Sequence, residues 1–153
     1  MFSSILKNVD KIIVCFGRSN NQVITKGREL LQEHYPLPNV EWLNLDQSNV
    51  YLASNWNNPH ITIEGVKVDR NSKAYRENFE NLCDIFKQRI ESYDTIYTHN
   101  PWGEYGHEEH VSVFNAVLSS VVGNNKQLFV SCYASDISEK LFAKRKYLLD
   151  VDI

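Results

Sequence analysis

The stretch DTIYTHNPWGEYGHEEHVSVFNAV, residues 94–117, sets the reading of the chain. Thr95, Ile96 and Tyr97 begin a short run of β-formers that ends at His99. Asn100, Pro101, Gly103 and Gly106 then break any regular period. From His107 onward Val113, Phe114, Val117, Leu118 and Val121 recur at helical spacing, and Gly123 stands where such a helix would end. The segment therefore reads as strand, loop and helix. Three of the five histidines of the chain, His99, His107 and His110, fall within it.

The same alternation extends in both directions. KIIVCF (11–16) is a short apolar run rich in β-branched residues and reads as a buried strand leading to Gly17 and the polar RSNN. QVITKGRELLQEHY (22–35) reads as a helix that PLP ends, because proline cannot continue it. NVEWLNL (39–45) reads as a second strand. Residues 46–72 show no period beyond one hairpin around HITIEGVKV (60–68), and an irregular insertion of that length is often functional. Tyr75, Phe79, Leu82, Cys83, Phe86 and Ile90 form the strongest helical stripe. QLFVSCY (127–133) reads as a further strand. SDISEKLFAKRKYLL (135–149) reads as a last helix capped by Ser135 or Asp136.

Strands alternating with helices imply βαβ units and a mostly parallel sheet covered on both faces, within one α/β domain. Ligands of such sheets bind beyond the carboxyl ends of the strands. The histidine-rich loop leaves a strand at that end.

The 153-residue chain is 42% hydrophobic and 23% charged, with a formal net charge of -3. Mild acidity argues against nucleic acid as the main partner, since phosphates attract basic patches. No apolar run approaches the roughly 20 residues that cross a bilayer. The opening MFSSILKNVDK lacks the pattern of a signal peptide. Three widely separated cysteines, Cys15, Cys83 and Cys132, read as small buried hydrophobes in a reduced, cytoplasmic compartment.

With the helix starting near His107, His107 and His110 lie three apart and share a face. His110 shares that face with Val113, Phe114 and Val117, so it points inward at a pocket rim. An imidazole there suits zinc, which favours histidine nitrogen and carboxylate oxygen. Plainer readings stand beside this one. Glu108 and Glu109 would complement the helix dipole, and His99 would be a hydrogen-bonded strand-end histidine. His34 and His60 read as solvated residues without a role. HxxH supplies at most two of the three protein ligands of a catalytic zinc.

THNPWGEYGHEEHVSVFNAV (98–117) resembles the second signature of the LmbE/PIG-L family of zinc-dependent deacetylases, a strand ending in Thr-His, a loop with Gly-His-Pro-Asp-His, and a helix. Here Glu108 replaces the proline and Glu109 the aspartate. The resemblance implies a Rossmann-like three-layer sandwich. It implies His110 as a zinc ligand, His107 as the group that polarises or protonates the reacting carbonyl, and Glu109 as a carboxylate behind them. Asn100, Trp102 and Tyr105 would face the substrate, with Trp56 as a further ring for a sugar to stack on.

The family's first signature, His-Pro-Asp-Asp-Glu after a strand, brings the other two ligands and the base, and this sequence has no copy of it. In one alignment Arg18-Ser19-Asn20-Asn21-Gln22 stands in its place, where amides cannot take a proton from water. In the preferred alignment KIIVCF is the second strand, and the first strand and its motif would precede Met1. The function expected is therefore that of a metal-dependent deacetylase of N-acetylated amino sugars or sugar conjugates, with an incomplete zinc set. The alternative is a non-catalytic domain that binds a sugar, another small molecule or a partner. A missing strand would also expose an apolar edge, so a homo-oligomer paired along that edge is expected.

Overall fold

The computed structural model describes residues 5–149. The chain is of mixed α/β class, and its contacts divide it into two compact units, Met1–Asn49 and Val50–Ile153.

The first unit is a single βαβ turn. Strand β1 (Ile12–Val14) leads into helix α1 (Gln22–Glu33), which returns to strand β2 (Val40–Trp42). The strands are parallel, with Ile12 opposite Val40 and Val14 opposite Trp42. Backbone pairing continues past them through Leu43 N–H to Val14 O and Leu45 N–H to Cys15 O, up to a bridge between Arg18 and Asp46. The chain must be bare at Gly17, since a Cβ there would lie 2.1 Å from Asn44 Oδ1. Asn21 starts α1 by accepting the Val23 and Ile24 N–H groups.

KIIVCF was expected as a buried strand, yet β1 and β2 are only half-buried. Helix α1 buries no residue fully, and Val23, Leu30 and Leu31 are exposed. A three-residue strand beside a mostly polar helix has little apolar surface to put out of water.

The second unit opens with an irregular loop whose Val50, Ala53 and Trp56 are buried. A hairpin follows, β3 (Ile61–Thr62) and β4 (Gly65–Val66), then α2 (Ser72–Arg89), β5 (Thr95–Thr98), α3 (Glu108–Val121), β6 (Gln127–Val130) and α4 (Glu139–Arg145). β5 and β6 are parallel, with Thr95 opposite Gln127 and Thr98 opposite Val130. Among the described residues the strands thus pair two by two rather than as one continuous sheet.

The stripe expected for α2 is buried at Tyr75, Phe79, Leu82 and Phe86, continuing to Ile90. Helix α3 is the most buried element, hiding Val111, Val113, Phe114, Val117 and Val121. Trp56, Val66, Trp102, Val111 and Leu141 form one apolar cluster, and Val50, Ala53, Val68 and Tyr75 another. The last helix starts later than expected, with Ser138 at its N-cap. Cys132 corrects the expectation of a buried thiol: β6 ends at Val130, and Cys132 lies beyond it, exposed. Among the described residues no helix is long and apolar enough to cross a membrane.

Candidate metal centre

The site is built where β5 ends. Thr98 is buried, and the chain then leaves the strand through His99 and Asn100. Asn100 organises the loop. Its Oδ1 accepts the N–H groups of Trp102 (3.2 Å) and Glu104 (2.9 Å). Its Nδ2 donates to Ser131 O and to Tyr133 O (2.7 Å), tying the loop to the exit of β6. Trp102 is buried, donates its indole N–H to Tyr133 O at 2.8 Å, and meets Phe142 edge to face. Asn100 and Trp102, both expected to face a substrate, thus have their polar groups engaged inside the chain. Trp56 is buried likewise and donates to Glu108.

The tight turn carries Glu104 beneath two histidines. Gly103 (φ +70°), Glu104 (φ +52°) and Gly106 (φ +87°) all sit in left-handed backbone. That conformation suits the glycines and is unusual for a glutamate. The Glu104 side chain has no exposure to solvent. Its Oε2 lies 2.8 Å from His110 Nδ1, and its Oε1 lies 3.4 Å from His99 Nδ1. Oε1 also accepts the Asn100 N–H (2.9 Å) and the Ser131 hydroxyl (3.0 Å).

Burial alone would raise the Glu104 pKa. The hydrogen bonds from His110 and His99, the His99 charge and the Asn100 N–H outweigh it and hold the carboxyl well below the usual range. For His110, burial lowers the pKa, and the neighbouring His99 charge adds to that. The Glu104 hydrogen bond and charge oppose both, yet the pKa remains below the ordinary histidine value. Glu104 is therefore ionised and His110 neutral near pH 7.

Four rings run in a column through this site. His99 stacks on His110 (centroids 3.9 Å) and His110 on His107 (4.5 Å), while Tyr51 lies tilted by 34° against His107 (5.0 Å). Tyr105 meets His110 and His107 edge-on, at 5.3 and 5.9 Å. Tyr51 and Tyr105 remain partly open to solvent. His107 is the N-cap of α3, and its Nδ1 accepts the Glu109 N–H at 3.3 Å. The Glu109 side chain is buried.

His99, Glu104 and His110 each bring one ligand atom within 4.8 Å of the others. Two imidazole nitrogens and a carboxylate oxygen are a donor set that can hold a metal ion. No family model, curated protein or solved structure matches the chain.

Helical spacing singles out His107 and His110 but gives no sign of two of their partners. Glu104 carries no periodic signal, because it lies in a loop. The trace it leaves is the pair of glycines around it, which permits the reversal that folds position 104 back under positions 99 and 110. Tyr51 is nearly 60 residues from His107 in sequence, and only tertiary structure brings them together.

Proposed function

We propose that the chain carries the metal end of a deacetylase-like hydrolase of the LmbE/PIG-L kind, with an N-acetylated amino sugar or sugar conjugate as substrate. A Rossmann-like three-layer fold goes with that reading. The observation that carries it is the contact of one buried carboxylate with two stacked imidazoles, beside a third at the start of α3. The nitrogen and oxygen donors fit zinc. His110 and His99 would hold the ion through imidazole nitrogen, with the Glu104 carboxylate against them. When bound, zinc supplies Lewis-acid polarisation of a carbonyl and a lowered pKa for water.

His107 has a role that its hydrogen bond supports. Because Nδ1 accepts the Glu109 N–H, the neutral ring carries its proton on Nε2. A proton at Nε2 can be donated to the acyl oxygen or the leaving amine. Tyr105 and Tyr51 offer ring faces and hydroxyls at the open side, which suits the mixed apolar and polar surface of a sugar.

The non-catalytic binding reading also has an observation behind it. Glu104 is held by four donors, and Glu108 accepts the N–H groups of Leu52, Ser54 and Trp56. Carboxylates engaged in this way are poor acceptors for a proton from water.

Acetate release from N-acetylglucosamine conjugates, with and without added zinc, tests the two readings. Zinc-dependent release that His110→Ala and His107→Gln both abolish is the expected result. Silence with zinc present, unchanged by His110→Ala, would sink the enzyme reading. Sugar binding without release, weakened by Tyr51→Ala, would favour the binding module.

A further inference from the structure

Glu104 can stand in either of two relations to a metal: as a ligand beside the histidines, or as the group behind them. A carboxylate offers about four acceptor positions. Here the Asn100 N–H and the Ser131 hydroxyl take Oε1, His110 takes Oε2 at 2.8 Å, and His99 Nδ1 lies 3.4 Å from both oxygens. The side chain is wholly buried, and its backbone is held left-handed at φ +52°. Such strain persists only where surrounding bonds over-determine it. Ser138 Oγ and the Ser135 N–H, both donating to Glu104 O, are two of those bonds. A metal ligated by Glu104 would have to break several contacts of a fully engaged group. Ligation by the opposite nitrogens of the imidazoles breaks none.

We infer that Glu104 is a positioning residue: its carboxylate fixes His110 with the proton on Nδ1 and the lone pair on Nε2, and holds His99 in parallel beside it. An ionised carboxylate only accepts hydrogen bonds, so Nδ1 of His110 must donate. The two rings are 17° from parallel and share Glu104 at their Nδ1 edges, which turns both Nε2 atoms away from the carboxylate. Among the described residues Nε2 of His110 has no hydrogen-bond partner. His107 has the reverse tautomer, with its proton on Nε2. This assignment deepens the metal reading and rests on it only for the consequence that Glu104 raises metal affinity.

The test is the tautomeric state of His110 in the metal-free full chain at neutral pH, read by long-range nitrogen–proton NMR correlation, followed by titration with zinc alone. In the wild type His110 is expected with Nδ1 protonated and Nε2 bare. In Glu104→Gln the tautomers should mix, and zinc should bind 10- to 100-fold more weakly at unchanged circular dichroism. A wild-type His110 protonated on Nε2 overturns the inference, and that spectrum needs no variant to fold. Loss of all zinc binding in Glu104→Gln, with the His110 tautomer unchanged, also overturns it and makes Glu104 a ligand. If the expected tautomers appear but neither protein takes up zinc, the positioning role is supported and the metal reading alone fails.

Discussion

Glu108 Oε1 accepts the indole N–H of Trp56 at 3.1 Å, joining the first turn of α3 to a loop 52 residues earlier. The same carboxylate accepts the backbone N–H groups of Leu52 (3.1 Å) and Ser54 (2.8 Å). One buried side chain thus holds the segment that carries Tyr51 against His107. The helix start favours its negative charge, as the sequence suggested, but the bonding is far more specific than a dipole effect.

Glu108→Ala should consequently destabilise the Val50–Ile153 unit by about 2–4 kcal/mol, because it strands one buried and two part-buried donors and leaves a void. Urea denaturation measures it. Glu108→Gln should lose less, since the amide oxygen still accepts. A loss below about 0.5 kcal/mol for Glu108→Ala would mean that water replaces the carboxylate, and that the loop does not depend on it.

Gly103 is the second point where the site depends on a single backbone position. Its φ is +70°, and a Cβ there would meet His107 O at 2.6 Å and Val111 Cγ2 at 2.8 Å. Its own O accepts the N–H groups of Gly106 and His107. Gly103→Ala combines left-handed strain with a clash at the cap of α3, together roughly 2–4 kcal/mol. Thermal unfolding should show the loss. The His107 and His110 resonances should shift with it, since the clash displaces the turn that sets both rings.

The sequence was legible where its signal was local. The stripe Val113, Phe114, Val117 and Val121 obeys a local period, and α3 buries it. The strand before the loop and the helix start at His107 are equally local, and the inward direction given to His110 agrees with its contact to buried Glu104. Glu104 and Glu108 are different. Each is recognisable only by partners that the fold delivers, Ser131 for one and Leu52, Ser54 and Trp56 for the other. A glutamate in a loop and a glutamate in a first helical turn look the same in a sequence whether solvated or buried. Asn100 and Trp102 are similar: their residue types suit recognition, and their burial has no local signature.

Acid should destabilise the protein in two stages. Glu104 has its folded pKa below the unfolded value, so its contribution is complete above about pH 4.3 and is lost as pH falls toward the folded pKa. Glu64 acts in the same sense: burial opposes ionisation, but its own backbone, Thr62 and Arg76 more than compensate. His110 also has a depressed folded pKa, so the unfolded chain takes its proton first and stability starts to fall below about pH 6.5. A melting-temperature scan should therefore decline from about pH 6.5 and steepen below about pH 4.5. His110→Gln should flatten the upper limb and leave the lower one. Stability that rises on acidification to pH 5 would contradict the depressed pKa of His110.

Zinc separates the three-membered group from what the family resemblance implies. The resemblance implies a ligand role for His110 alone of the residues present, whereas the geometry places His99 parallel to it on the same carboxylate. If the protein binds zinc, the ion stabilises the folded chain by mass action, about 2.7 kcal/mol at a hundredfold excess over Kd, and a chelator reverses the gain. His110→Ala and His99→Ala should each abolish that shift in melting temperature, while His34→Ala, on a solvated helix end, should keep all of it. The decisive comparison is His99→Ala. Retention of the full shift in that variant, with loss in His110→Ala, would remove His99 from the group and leave His110 to find its remaining ligands elsewhere. Loss in both would mean that β5, through the residue that follows it, supplies a ligand of its own.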